Sequence, residues 1–155
     1  MKIISHRGNL EGKDLLKENS PDQIEKVLDL GFDVEIDVWS KDNKFLLGHD
    51  SPVYEVLIWE SLFEKRIWVH CKNLKILDFL IRYNYYSDGN FFWHQEDDFT
   101  LTNKNYIWTY PGKELTHNSI LVLPEQVNIE PKDMKDKNIY GVCTDYPIKW
   151  KEYYE

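Results

Sequence analysis

The sequence predicts an α/β fold in one domain over residues 1–155, organised as a trimmed (β/α)8 TIM-type barrel with several helices shortened or missing. Eight short apolar runs recur along the chain, and most of them end in His, Asp, Glu, Arg or Lys. Polar residues at the carboxyl ends of successive strands are typical of this barrel. A full barrel usually takes about 250 residues, so the short chain also leaves open a smaller open α/β sheet.

Composition restricts the class of protein and of ligand. Aromatic residues make up 15% of the chain, enough to build a hydrophobic core. The formal net charge of −8 argues against a nucleic-acid groove, which needs clustered Lys and Arg. Cys71 and Cys143 lie in apolar runs without metal-like spacing, so we expect two reduced, buried thiols. No apolar run reaches the roughly 18 residues of a membrane span, and we expect a soluble, cytoplasmic protein.

The predicted strands are the eight apolar runs. In chain order they read KIISHRG, DVEIDVW, KFLLGHD, IWVHCKN, NFFWHQED, YIWTYPG, SILVLPE and IYGVCTDYP. After the fifth run the connections look too short for regular helices.

Two helices are predicted between strands, with a weaker third. The first covers residues 19–31, with Ser20 as N-cap, Pro21 as the first helical residue, Gln23 completing a capping box and Gly31 as the stop. The second covers residues 73–84 and has Asn73 as its cap. Its expected core stripe is Leu74, Leu77, Leu80 and Ile81. The weaker candidate covers residues 53–66.

The run DVEIDVW alternates between acidic and apolar residues, which is the pattern of a strand with two different faces. Glu35 and Asp37 therefore point the same way. His6 and His49 end the neighbouring runs and lie on either side of this carboxylate pair in the chain. The same alternation sends Asp33 inward one layer deeper, where a bare carboxylate is costly. We expect Asp33 either to begin the strand at a wet end or to pair with a buried cation or hydroxyl.

These motifs resemble the glycerophosphodiester phosphodiesterase family of phospholipase-C-like barrels. That family carries His-Arg-Gly after its first strand, Glu-Asn-Thr at its first helix, Glu-x-Asp on its second strand and His-Asp after its third. Here the motifs read HRG at 6–8, ENS at 18–20, EID at 35–37 and GHD at 48–50. The resemblance is close over residues 3–52 and returns at GVCTDYP, residues 141–147.

The resemblance implies a metal-dependent hydrolase that cleaves a small or lipid-derived phosphodiester. Glu35 and Asp37 would bind one divalent metal ion, and hard carboxylate oxygens favour Mg²⁺ or Ca²⁺. His6 and His49 would be the general acid and base. A metal and a fixed cation would offset the charge that rises on the phosphate in the transition state.

The expected substrate-binding residues follow from the same resemblance. Arg7 would hold the phosphate, and Glu18 would orient the guanidinium of Arg7. Where the family usually has Glu-x-Lys on its fourth strand, this chain has His70 and Lys72. Lys72 keeps the phosphate contact. A ligating imidazole at position 70 would also admit Mn²⁺ or Zn²⁺; otherwise His70 is no ligand and the metal is held weakly or is missing.

Two rival functions stay open. The change at position 70 and the short chain also fit a phospho-ligand-binding module without catalysis, and the same site would suit a lyase that forms a cyclic phosphate. The connection after GHD lacks the usual insertion of the family, so we expect a more open site. Among residues without motif support, His94, Trp93, Trp108 and Tyr110 are candidates for the pocket wall, and Asp145 for a structural role.

Overall fold

The structure, a computed structural model, describes residues 1–56, 59–86 and 88–155. This part of the chain forms one sheet of ten strands that curls into a half-barrel, with three α-helices. The strands are β1 Lys2–His6, β2 Asp33–Lys41, β3 Lys44–Leu47, β4 Tyr54–Glu55, β5 Ile67–Cys71, β6 Asn90–Phe92, β7 Phe99–Leu101, β8 Ile107–Thr109, β9 Ser119–Val122 and β10 Gly141–Thr144. The helices are α1 Pro21–Asp29, α2 Leu74–Tyr83 and α3 Pro147–Tyr154.

The prediction of a (β/α)8 barrel is wrong. Strands β6, β5, β2, β1, β10, β9 and β8 pair in parallel in that order, but β3, β4 and β7 are antiparallel to their partners. Between β2 and β3 the chain turns through Asp42 and Asn43, both with positive φ. Such a two-residue turn makes a hairpin, because a parallel pair needs a crossover of a dozen or more residues. The result is a mixed sheet without alternating helices.

Alternation along the strands separates two sides of the sheet. The inner side carries a cluster of buried residues from six strands: Ile4, Trp68, Phe92, Trp108, Ile120, Val122 and Cys143. On the outer side, β2 and β5 pack against α1 and α2, and β10 and β9 pack near α3. Both cysteines are buried and free, and burial raises the pKa of the Cys71 thiol to about 12.

Helix α1 begins where the sequence predicts it, at Pro21 after Ser20, but the capping box is wrong. The Ser20 side chain makes no capping hydrogen bond. The Gln23 side chain instead donates to the carbonyl oxygen of Gly8 at 2.8 Å. This contact ties α1 to the turn after β1.

Helix α2 has the predicted cap but a different buried face. The Asn73 side chain accepts from the Ile76 amide. Ile76 and Leu80 are buried, whereas Leu74 and Ile81 are 73% and 57% exposed, so the expected stripe is wrong at two positions. The cap explains the rotation, because Asn73 also binds both backbone groups of Ser40 on β2 and thereby fixes α2 against the sheet.

The remaining connections are short. The weak helix candidate at 53–66 contains β4 and a 3₁₀ helix at Trp59–Phe63, and its residues 57 and 58 lie outside the described residues.

Helix α3 was not expected from the sequence. Within the described ranges, no helix is long and apolar enough to cross a membrane.

Asp33 begins its strand, which is one of the two expectations, and its partners are a partly exposed lysine and a buried indole and not a buried cation or hydroxyl. Asp33 is buried at the start of β2. Its Oδ1 lies 3.2 Å from Lys2 Nζ, and its Oδ2 accepts from the Trp68 indole Nε1 at 2.9 Å. The first acidic residue of DVEIDVW is therefore a structural anchor at the amino end of the sheet.

We predict that Asn73→Ala lowers the free energy of unfolding by about 2 kcal/mol, because it removes the α2 cap and two hydrogen bonds to β2. The matched control is Ser20→Ala, at an N-cap without a capping bond, and it should cost less than about 0.5 kcal/mol. Urea denaturation measures both values. Equal losses for the two variants would contradict this account of the caps.

We also predict that Asp33→Ala costs about 2–3 kcal/mol, because it leaves the buried Trp68 N–H without an acceptor. Asp33→Asn keeps an oxygen in that position and should cost about 1 kcal/mol. The comparison requires urea denaturation of the two variants beside the wild type. If Asp33→Asn lowers the free energy of unfolding as much as Asp33→Ala does, the hydrogen bond from the Trp68 indole is not the stabilising contact.

Candidate active site

The structure brings all eight predicted site residues together where β1 and β5 end beside the first half of β2. His6 ends β1, Glu35 and Asp37 lie on β2, and His70 lies on β5. The other four come from the segments that follow these strands or β3: Arg7, Glu18, His49 and Lys72. A pocket of about 450 Å³ opens beside them.

Glu35, Asp37 and His70 form a buried group that could hold a metal ion. Each offers one ligand atom, and these atoms all lie within 4.8 Å of one another. His70 Nε2 lies 3.3 Å from the carbonyl oxygen of His94. A carbonyl oxygen only accepts, so His70 Nε2 carries a proton, and Nδ1 is the ring nitrogen that faces the carboxylates, 3.0 Å from Asp37 Oδ1.

Asp37 is the most heavily contacted carboxylate of the site. Its amide and its side chain both bind the Asn19 side chain, at 2.9 and 3.0 Å. Four cationic or imidazole side chains also reach its oxygens at 3.0 to 3.5 Å: Arg7, His49, His70 and Lys72. Burial raises the pKa of Asp37, but the hydrogen bonds from His49 and His70 and the nearby positive charges outweigh it and hold that pKa well below its ordinary value.

Glu35 differs from Asp37 although the two carboxylates share a face. Burial and the negative charge of Asp37 raise the pKa of Glu35, against the opposing effect of His6, His70 and Arg7. Its Oε2 accepts from the Arg7 backbone amide at 3.1 Å. The pair therefore combines a firmly ionised carboxylate with one that a positive ligand would stabilise in its charged form.

His6 is held by a carboxylate from the far end of the chain. Its Nδ1 lies 2.7 Å from Asp145 Oδ1, and its Nε2 is 4.0 Å from Glu35 Oε2. Burial lowers the pKa of His6, but the hydrogen bond to Asp145 and the charge of Glu35 outweigh it and raise the pKa above its ordinary value. Nδ1 donates to Asp145, which leaves Nε2 as the atom for proton exchange.

His49 has the same arrangement with a different carboxylate. Its Nδ1 lies 3.2 Å from Asp37 Oδ2, and its Nε2 lies 3.1 Å from Arg7 Nη2. A guanidinium only donates, so His49 Nε2 accepts and its Nδ1 carries the proton. Both predicted histidines thus bind a carboxylate through Nδ1 and have Nε2 near the pocket.

Arg7 occupies a constrained position between these groups. Its φ is 53°, a left-handed conformation that is rare for residues other than glycine. Its Nη1 donates to Glu18 at 3.4 Å, as an orienting role for Glu18 requires. Its buried Nε lies 3.2 Å from Asp37, yet the described residues offer it no hydrogen bond. Arg7 therefore lies in contact with Glu18, Asp37 and His49 at once.

The site carries an excess of negative charge. Four carboxylates are buried here, those of Glu18, Glu35, Asp37 and Asp145. Among the described residues of the site, Arg7 and Lys72 are the fixed cations. The two remaining negative charges call for protonated histidines, a bound cation or a proton on Glu35, because uncompensated buried charge is costly.

Sequence reasoning missed three residues that build the site: Asn9, Asn19 and Asp145. Asn9 Nδ2 donates to Glu18 and to Asp145, both at 2.9 Å. Asn19 is the middle residue of ENS, so the motif did contain a signal for it. Asp145 was taken as structural, and its neighbour His6 is 139 residues away in the chain.

The wall of the pocket comes from later strands. His94 stacks on His70 with ring centroids 4.6 Å apart. Burial, with the charges of His70 and Lys72, lowers the pKa of His94 to about 4, so this ring is neutral. Trp93, Trp108 and Tyr110 also line the pocket. Trp108 is buried in the core. Trp93 and Tyr110 are 37% and 51% exposed and lie at the mouth of the pocket.

Comparisons of the chain with protein-family models, with curated proteins and with solved structures find no match. Any function for this chain therefore has to be argued from the contacts of its own site.

Proposed function

We propose that the protein is a metal-dependent phosphodiester hydrolase of the glycerophosphodiester phosphodiesterase type. One observation carries the proposal. Two histidines, each bound through Nδ1 to a buried carboxylate, present Nε2 toward a pocket that also holds a Glu-Asp-His group and two cations. A reaction that moves two protons around an anionic centre uses this set of groups.

A divalent cation fits the donor set of Glu35, Asp37 and His70. Two carboxylates and one imidazole nitrogen suit Mn²⁺ or Zn²⁺ as well as Mg²⁺, and the site has two negative charges to balance. When bound, such an ion would polarise a phosphoryl oxygen and offset negative charge. The ligand atom of His70 would be Nδ1, because the His94 carbonyl oxygen accepts a hydrogen bond from Nε2 and keeps a proton there.

Arg7 and Lys72 are proposed to bind the phosphate. Burial lowers the pKa of Arg7, but Asp37, Glu35 and Glu18 outweigh it and raise that pKa, so the guanidinium stays charged. The Nη2 atom of Arg7, now on His49, is the donor from which a phosphate oxygen would accept a hydrogen bond. Movement of Nη2 to the phosphate would at the same time free His49 Nε2 for proton transfer.

The two histidines would divide the proton transfers. One Nε2 takes the proton of the attacking oxygen, from water or from a neighbouring hydroxyl of the substrate, as that oxygen bonds to phosphorus. The other imidazole gives a proton to the leaving alcohol as its bond to phosphorus breaks. Water as the nucleophile yields a monoester and an alcohol, whereas an internal hydroxyl yields a cyclic phosphate. Asp145 and Asp37 hold the two rings in position and stabilise their protonated forms.

The proposal predicts metal-dependent turnover of bis-p-nitrophenyl phosphate and of glycerophosphodiesters, lost in EDTA. His6→Ala and His49→Ala should each lower kcat/KM by about 10²–10⁴-fold, because each removes one proton-transfer group. Glu35→Gln should weaken Mn²⁺ binding measured by titration calorimetry. Phosphorus NMR of the products separates a hydrolase from a cyclising lyase.

Matched controls come from the same chain. His117 is exposed, and His117→Ala should leave turnover unchanged. Asp33→Asn changes the first acidic residue of β2, at the amino end of the strand and outside the metal-binding group, and should leave Mn²⁺ affinity unchanged. No metal-dependent turnover of any diester, with His6→Ala equal to the wild type, would reject catalysis and leave a binding module.

A separate prediction concerns Asp145 as a positioning residue. Asp145→Asn should lower kcat by about 100-fold with little change in KM or in Mn²⁺ affinity, because it weakens the hold on His6 without touching the phosphate or metal ligands. Asp78→Asn, on the outer surface of α2 in an ion pair with Arg82, is the control. A loss confined to KM, or a loss of thermal stability that explains the lower rate, would contradict this role.

A further inference from the structure

Two leucines are exposed beside the active site. Leu15 is 74% exposed and Leu16 is 88% exposed. They lie in the connection between β1 and α1, whose first residues include Arg7 and Asn9 and whose last residues include Glu18 and Asn19. Leaving two adjacent leucines in water costs free energy, and burial against an apolar partner would recover it.

Hydrogen bonds hold this connection in place. The Gly12 amide donates to the Asp145 carbonyl at 2.8 Å, and the Asp14 amide donates to the Asn9 side chain at 3.0 Å. After the leucines, the Glu18 amide donates a hydrogen bond to the Asp14 carbonyl oxygen at 2.9 Å. The leucines are therefore presented outward by a turn that is anchored to residues of the site.

The leucines share their end of the sheet with the pocket mouth. The connection leaves the carboxyl end of β1, and Trp93 and Tyr110 follow the carboxyl ends of β6 and β8, which run parallel to β1 within the same sheet. Val53, 63% exposed, follows β3 and precedes Tyr54, whose hydroxyl donates to the Leu16 carbonyl at 3.4 Å. Leucine, tryptophan and tyrosine at one end of the sheet make a composition that suits the lipid–water boundary.

The charges of the turn indicate which lipid surface fits. Lys13 and Lys17 are exposed on either side of the leucines, and Lys17 pairs with Asp14 at 2.9 Å. Lysines in this position can reach lipid phosphates while the leucines enter the acyl region. The chain as a whole carries −8, so an anionic membrane would repel it. A zwitterionic surface matches both features.

We infer that Leu15 and Leu16 dock the pocket mouth on a zwitterionic lipid surface, so that the substrate is a phosphodiester held in that surface. This inference rests on the proposed function for its substrate class, but the docking itself does not require turnover. Of the two substrate classes left open by the sequence, a small diester and a lipid-derived diester, the docking selects the lipid-derived one.

The test uses the full chain and phosphatidylcholine vesicles in EDTA, with binding measured by flotation. The wild type should bind, and Leu15→Ser/Leu16→Ser should bind at least about 100-fold more weakly, because two leucines lose their burial in lipid. The control is Leu74→Ser/Ile81→Ser, which changes two residues of similar exposure on α2 and should bind like the wild type. Both double variants should hydrolyse soluble bis-p-nitrophenyl phosphate at the wild-type rate.

Four results would overturn the docking. Three of them are failure of the wild type to bind these vesicles, binding of Leu15→Ser/Leu16→Ser equal to that of the wild type, and binding only after anionic lipid is added. The fourth is a change from dimer to monomer in sedimentation velocity for that variant, which would assign the leucines to a second copy of the chain. Vesicle binding without turnover of any diester would retain the docking and reject the proposed function, whereas soluble turnover without vesicle binding would do the reverse.

Discussion

The site depends on one constraint, the two-residue alternation of side chains along parallel strands. Ile4, Trp68, Phe92, Trp108 and Cys143 bury their side chains in the inner cluster. Two residues further along the same strands or just beyond them stand His6, His70, His94, Tyr110 and Asp145. Because the side-chain period is 2, each packed apolar residue fixes the direction of the polar residue that follows it. Packing of the apolar residues therefore sets the direction in which the side chains of the site point.

Strand β2 extends this relation to charge. Its three carboxylates share the inner side, yet each meets a different environment. At the amino end of the strand, Asp33 forms an ion pair with Lys2 and accepts a hydrogen bond from the Trp68 indole, so it takes no part in the site. Asp37 is surrounded by cations and imidazoles, whereas Glu35 has fewer compensating contacts and a raised pKa. A buried carboxylate next to such a neighbour is a natural ligand for a cation.

The fold and the site were predictable to different degrees. The eight apolar runs do form strands, and Pro21 and Asn73 mark the starts of two helices as their residue types require. The barrel was wrong because strand identity does not determine strand direction. Asp42 and Asn43 reverse the chain after β2, and sequence reasoning counted β3 as a barrel strand without weighing this turn. The buried face of α2 was wrong because contacts of Asn73 with Ser40 set its rotation.

By itself, the sequence determined which residues meet at the candidate site, since HRG, EID and GHD lie on apolar runs whose period orients them and ENS directly precedes α1. Only the tertiary structure decided what surrounds those residues. It joined His6 to Asp145 across 139 positions, turned the His94 carbonyl toward His70, and placed Leu15 and Leu16 outside the core at the same end as the pocket. The physical reason is that local pattern specifies the direction of a side chain relative to its own strand. Its partners come from strands whose order is fixed by the packing of the whole sheet.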